Sequence, residues 1–425
     1  MKPIIILLMV LILTVGAGTI RAEESSSVIT LQQAQTLALE KNPELAAFSL
    51  EIQAKDAVAL QAGLLPNPEI NISMENFGGS KDLSGFEGTE TTFELGQMIE
   101  LGGKRSKRKN AALLERDLAK WDYEAKRADV VADVTKSFVD VLAAQEAAAL
   151  KEELVRLAEQ IDNVISVRVA SGKVSPVEET KAGIALSFAR IESEKAKRDL
   201  DARRKKLEGF WGSAEVPFAR VAGNLYEFSP IPLYDQLVNA IQQNPDIARW
   251  SSETEQKNAV IKLEESKRIT DPTVSFGLRN LRENKTNAFV AGISLPLPLF
   301  NRNQGGILEA RQRLAQTGEQ QKNARLRILT AISETYQNLS SYYTESSTLK
   351  AEVLPGAHSA FEAAQEGYRQ GKFNYLEVLD SQRTLFEAKN RYIEVLAAYH
   401  KALADIKRLA GERIDMITNT SEERL

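Results

Sequence analysis

Apolar and polar residues alternate in four short stretches of the chain, and apolar residues recur at three- and four-residue steps through most of the rest. Ile70, Ile72 and Met74 alternate with Asn71, Ser73 and Glu75, and Phe93, Leu95, Ile99 and Leu101 alternate with Glu94, Gly96, Met98 and Glu100. Val274, Phe276 and Leu278 alternate with Ser275, Gly277 and Arg279, and Ala291, Ile293, Leu295 and Leu297 with Gly292, Ser294 and Pro296. A period of two belongs to a strand with one apolar and one polar face, so strands are predicted over about 68–77, 91–101, 273–281 and 288–297. Polar, glycine-containing or charged connections, Gly78 to Gly88 and Asn280 to Asn287, join them as hairpins. A strand of about 10 residues spans ~33 Å and, tilted by about 45°, covers the ~25 Å apolar band of an outer-membrane barrel. A soluble two-faced sheet would show the same alternation.

The helical pattern is unusually long. From Lys104 to about Ala170 there is neither Pro nor Gly, and Val130, Val134, Phe138 and Val141 lead into Leu150, Leu154, Leu157, Ile161 and Val164. Such a helix is roughly 100 Å long, too long for the core of a compact domain. A second is predicted from Asn301 to about Val353, and a third from Tyr375 to Ala410. In the third, Val378, Leu385, Tyr392, Tyr399 and Ile406 recur every seven residues beside a second file of Leu379, Phe386 and Ile393. Two adjacent files suit a helix with neighbours on both sides, as in a coiled tube.

The chain is written twice. Asn42-Pro43 returns as Asn244-Pro245, Pro68 before one strand as Pro272 before another, and Gly172-Lys173 as Gly371-Lys372 between long helical patterns. The spacings are 202, 204 and 199 residues, in the same order, so the halves are 23–211 and 233–411. The Pro- and Gly-bearing stretch 212–232 is the linker, and 412–425 is a C-terminal tail. Gly172 and Gly371 close helical hairpins.

Residues 1–22 read as a secretory signal peptide: Lys2, an apolar run from Ile4 to Val15, then small residues and Arg21-Ala22-Glu23. A signal anchor is the alternative. The mature chain is therefore expected to be exported. With 54 Lys+Arg against 58 Asp+Glu there is no overall pull toward nucleic acid. With no cysteine there is no thiol nucleophile, thiolate metal site, disulfide or cysteine-linked lipid anchor. His358 and His400 have no metal-ligand spacing, and Gly102-Gly103 and Gly305-Gly306 lack a phosphate-loop pattern, so no catalytic residue, cofactor or metal site is expected. The basic run Lys104, Arg105, Lys107, Arg108 and Lys109, directly after a strand, is expected at the polar boundary of the membrane.

Four strands cannot close a barrel, since the smallest bacterial ones have about 8, and an open edge in lipid leaves backbone groups unsatisfied. Oligomerisation is thus required if the strands enter the membrane, and three chains would supply 12.

Taken together, the signal peptide, the duplicated helix-strand-strand-helix halves and the paired hairpins resemble the TolC-like outer-membrane factors of tripartite efflux pumps. Leu65-Pro66-Asn67-Pro68-Glu69, Ile99-Glu100-Leu101-Gly102-Gly103-Lys104-Arg105 and Pro298-Leu299-Phe300-Asn301-Arg302-Asn303-Gln304-Gly305 look like the heavy-metal, cobalt-zinc-cadmium branch. The resemblance implies a mainly α fold with a membrane β-barrel. A homotrimer would build a helical barrel across the periplasm and a 12-stranded barrel in the outer membrane. It implies a passive exit duct for metal cations, loaded by a periplasmic adaptor and an inner-membrane proton-driven pump. It also implies a periplasmic constriction lined by Glu377 and Asp380, six and nine residues after Gly371, with Glu178 at the matching offset from Gly172 and Lys181 where a second acid would stand. Phe373 and Asn374 stand where a charged residue would link neighbouring helices in such proteins. The tips, with Ser171, Gly172 and Lys173 in one hairpin and Gln370, Gly371 and Lys372 in the other, are the expected adaptor-docking surface. A duct for drug efflux or type I protein secretion would share this architecture, and a soluble periplasmic coiled-coil scaffold would share the heptads.

Overall fold

The computed structural model describes residues 28–212 and 218–411. The expected signal peptide and C-terminal tail lie outside the described residues. The chain starts with β1 (Val28–Thr30), α1 (Leu31–Lys41) and α2 (Pro43–Ala62), then the hairpin of β2 (Glu69–Glu75) and β3 (Glu90–Met98). The long α3 (Lys104–Ala170) and returning α4 (Pro176–Glu208) follow, and a short β4 (Arg220–Ala222) opens the passage to the second half. That half repeats the order: α5 (Tyr234–Ala240), α6 (Pro245–Ser266), β5 (Thr273–Leu281), β6 (Thr286–Ser294), α7 (Gln304–Thr348), α8 (Leu354–Arg369) and α9 (Tyr375–Ala410).

The duplication is visible in single hydrogen bonds. Asn42 caps α2 by accepting from the backbone N–H groups of Glu44 and Leu45, with Pro43 at the first helical position. Its amide donates to the Phe210 carbonyl, just past α4, at 2.8 Å. Asn244 caps α6 through the Asp246 N–H and donates to the carbonyls of Arg408 and Leu409, at the end of α9. In each half, one buried asparagine starts a helix and fastens the end of that half's last helix to it.

Three expectations are corrected. The helix predicted to stop near Val353 carries on: α7 passes through one π turn, Leu349–Val353, into α8, and Pro355, which cannot donate a helical bond, follows directly after that wider turn. The stretch 212–232 is more than a linker, because β4 returns to pair in parallel with β1, Val28 opposite Arg220. The strands are also shorter than the alternation suggested at 69–75 and 90–98, and the last runs over 286–294. Ile99 and Leu101 continue the alternation beyond the point where pairing ends.

Three cations of the basic run after β3, Lys104, Arg105 and Arg108, find partners within the chain. Lys104 is buried against Asp271 at 2.6 Å. Arg108 holds Glu100 with two bonds and donates to the carbonyls of Ala62 and Leu64, while Arg105 donates to that of Gly63. Arg105 and Arg108 cover the carbonyl end of α2, where a helix leaves acceptors unpaired, while Lys104 also donates to the Ile269 carbonyl beyond α6. Gly102 and Gly103 both adopt the left-handed conformation that turns the chain from strand into α3.

The apolar core is split lengthwise. The middle of the bundle packs Val134, Phe138 and Val141 of α3 with Leu396 and Val395 of α9 and with Trp211 and Leu225. Toward the hairpin tips, Ile165 and Ala182 pack with Phe361, Tyr368, Tyr375 and Val378. A third cluster joins Leu237 and Ile241 to Ile332, Leu339, Tyr399 and Ile406.

Candidate functional site

Two places in the molecule carry chemistry, one at each end. The first is the sheet, ordered β2-β3-β5-β6 and antiparallel throughout, with β2 and β6 as free edges. Its register places Ile70, Ile72, Met74, Phe93, Leu95, Val274, Phe276, Leu278, Phe289, Ala291 and Ile293 on one face, together with uncharged Thr91, Gln97, Asn280 and Asn287. Every charged side chain of the four strands, Glu69, Glu75, Glu90, Glu94 and Arg279, is on the other face. Phe289 is 92% exposed and Ile293 77%. A continuous apolar face without a charge is what lipid requires, and the charges of the four strands are gathered on the opposite face. No helix among the described residues is long and apolar enough to cross a membrane.

Strand directions make closure possible. Because neighbours alternate in direction, β6 of one copy meets β2 of the next antiparallel, and any whole number of copies closes without a parallel mismatch.

The second place is the pair of hairpin tips. Gly172 and Gly371 take φ values of 69° and 73°, which a side chain would strain, and each accepts the reversal between two helices. Lys173 and Lys372 donate their backbone N–H groups back to the carbonyls of Arg168 and Gly367, closing the same turn in each half. The Phe373 ring packs against Gly367, where a Cβ would come within 2.2 Å of it, so only glycine fits beneath the ring at the second tip.

The predicted constriction residues divide. Glu377 forms a capping box with Asn374: its carboxylate accepts from the Asn374 N–H at 3.2 Å, and its own N–H donates to the Asn374 side chain at 3.2 Å. Asp380, one turn on, is exposed. Glu178 accepts from the Tyr368 hydroxyl at 3.3 Å, which ties the first hairpin to the second. Among the described residues, no hydrogen bond joins Glu178 to Glu377 or Asp380.

Arg168 completes this tie. Its guanidinium donates to the carbonyls of Tyr368 and Arg369, both at 3.1 Å, and lies 4.6 Å over the Tyr368 ring. Burial raises the Tyr368 pKa, and burial takes that of Tyr375 up to about 12, so both phenols are neutral donors at any physiological pH. Arg168 and Tyr368 were missed in the sequence: nothing local marks a contact 200 residues apart. The acidic polar face of the strands was legible as alternation, and only the register showed that all the charges share it.

The histidines carry no site. His358 is exposed beside Glu362, and His400 is half-buried with Nε2 3.0 Å from the Leu225 carbonyl. Among the described residues no group of His, Asp or Glu side chains could hold a metal ion.

An open four-stranded sheet with a lipid face and a charged face, on long helical hairpins, defines an outer-membrane efflux channel rather than an enzyme. Residues 35–213 and 237–412 match the outer membrane efflux protein family, one match for each half, and the chain belongs to that family. It is 36% identical over 388 residues to the cobalt-zinc-cadmium resistance protein CzcC of Cupriavidus metallidurans, covering 91% of each chain. It is 25% identical to the nickel-cobalt-cadmium resistance protein NccC of Alcaligenes xylosoxydans xylosoxydans, over 72% of this chain and 68% of that one. The fold matches the crystal structure of CusC with a TM-score of 0.74 at 18% identity, over 90% of this chain and 92% of that one. It matches the CmeC outer membrane channel of Campylobacter jejuni equally, at 0.74 and 16% identity, over 91% and 89%.

Proposed function

We propose that three copies of this chain form the outer-membrane exit duct of a heavy-metal efflux system. The observation that carries the duct is the sheet with two free edges and all its charges on one face. One copy leaves both edges unpaired in lipid. Two copies give eight strands, a barrel whose interior is filled by its own side chains, whereas three give twelve and leave a lumen. Below the membrane the long helices of three copies continue the tube across the periplasm. The metal cargo is supported by the likeness to CzcC over 91% of the chain and by an acidic interior.

The tips are the entrance. Glu178, Glu377 and Asp380 line the constriction, and the tie of Arg168 and Glu178 to Tyr368 holds it closed. Ser171, Gly172, Lys173, Gln370, Gly371 and Lys372 form the exposed turns that a periplasmic adaptor docks on, and an inner-membrane proton-driven pump supplies cargo through it. Metal choice falls to the pump and adaptor, because a chain with two histidines and no cysteine offers few soft ligands. Deletion of the gene followed by a panel of zinc, cobalt, cadmium, copper, silver, dyes and antibiotics tests the cargo. Sensitivity to zinc, cobalt or cadmium is expected; sensitivity to dyes or antibiotics alone would move the chain to drug efflux.

A further inference from the structure

We propose that Arg279 sets the ion preference of the barrel lumen: by neutralising Glu90 it limits the negative charge that the exit presents to passing ions. The inference rests on the reading that the charged face of the sheet lines the lumen. Arg279 is the one cation on that face of the four described strands. It sits toward the end remote from the helices, where exported ions leave.

Its position is held from two sides. Nη1 donates to Glu90 Oε2 at 3.1 Å and Nε to Thr92 Oγ1 at 3.0 Å, and Thr92 is itself buried. The Asn76 amide donates to the other Glu90 oxygen at 3.2 Å. Glu90 needs both partners because Glu75 is directly opposite it in the register, and like charges in that position repel.

Among the described residues, Glu69 and Glu94 have no cationic partner: Glu94 lies between Asn71 and Gly277, and Glu69 is opposite Gly96. At Gly277 a Cβ would come within 2.2 Å of the Phe93 carbonyl oxygen and 2.7 Å of Glu94 Cγ, so this position accepts no side chain that could pair with Glu94. An ion moving outward meets Glu69, then Glu94, and then the level where Arg279 has cancelled one acid. Closing the barrel repeats each level around the lumen, where one sign of charge between low-dielectric walls is focused.

The test is the reversal potential of the purified full-length channel in planar bilayers under a KCl gradient, in the wild type and in an Asp380→Asn background that weakens the tip. Near 0.1 M KCl, Arg279→Gln should raise the K⁺ to Cl⁻ permeability ratio, roughly two- to fivefold by charge focusing, and Glu94→Gln should lower it. Arg279→Lys, which keeps the charge, should stay near wild type. All variants should converge at 1 M KCl, where the Debye length is about 3 Å. An unchanged ratio in Arg279→Gln channels, or a change that persists at 1 M, would overturn the assignment. If Arg279→Gln fails to assemble, an unchanged ratio for Glu94→Gln overturns it instead. A wild-type chain that forms no channel would overturn the duct reading itself.

Discussion

Tyr368 of the second hairpin donates its hydroxyl to Glu178 of the first, and Arg168 grips the same tyrosine by its carbonyl and its ring. One aromatic side chain thus takes polar contacts from both helices of the opposite hairpin, beside the apolar packing of Ile165 and Ala182 on Phe361, Tyr375 and Val378. Tyr368→Phe removes only the hydroxyl and keeps the ring in the tip core, so folding should be unaffected and single-channel conductance should rise. Arg168→Ala should raise it too, and the double variant should fall short of the summed effects because both changes release one contact. Conductance equal to wild type in all three would remove this tie from the constriction.

Glu377 has two roles that substitution can separate. Glu377→Gln keeps an acceptor for the Asn374 N–H and therefore keeps the capping box, while Glu377→Ala loses it at a cost of about 1 kcal/mol. If the carboxylate also lines the constriction, Glu377→Gln should weaken block of the channel by multivalent cations without lowering thermal stability. Asp380→Asn, with no cap to lose, should do the same. Block that is unchanged in both variants would leave Glu377 as a cap alone.

Asn244 is fully buried and its side chain satisfies three backbone groups at once: it caps α6 through the Asp246 N–H and donates to the Arg408 and Leu409 carbonyls at the end of α9. Asn244→Ala should destabilise the protein by roughly 2–3 kcal/mol, the sum of a lost cap and of carbonyls left without a donor. Asn244→Asp keeps the cap acceptor but loses the amide donor. A melting temperature for Asp equal to that of Asn would show that the link to Arg408 and Leu409 contributes nothing.

His400 makes stability depend on pH. Burial lowers its pKa from 6.5, and the bond to the Leu225 carbonyl offsets this only in part. The unfolded chain therefore takes up a proton that the folded chain resists, so stability is full above about pH 6.5 and declines as pH falls toward the folded value. Thermal unfolding of wild type and His400→Gln at pH 7.5 and 5.5 checks the sign. The variant should lose less on acidification; an equal loss would assign the pH dependence to other groups.

Much of this architecture could be read from the residues. The length of α3 followed from the absence of Pro and Gly between Lys104 and Ala170, and the tips from Gly172 and Gly371, because local chemistry decides both. Asn42 and Asn244 announced the duplication for the same reason. What stayed hidden depends on distant partners. The continuation through Pro355 could not be read, since a proline in a first helical turn looks the same in sequence as one that ends a helix. The basic run after β3 gave no sign of its partners: Arg105 and Arg108 meet the carbonyl end of α2, more than 40 residues away. The pairing of β4 with β1 joins segments almost 200 residues apart and too short to show any period.

A duct requires that neighbouring copies close the sheet. Native mass spectrometry of the mature chain, extracted from outer membranes in mild detergent, measures this directly. The proposed duct predicts a single assembly with the mass of three chains, dissociating to one-chain species on heating. A soluble one-chain species, or an assembly of two, would contradict it.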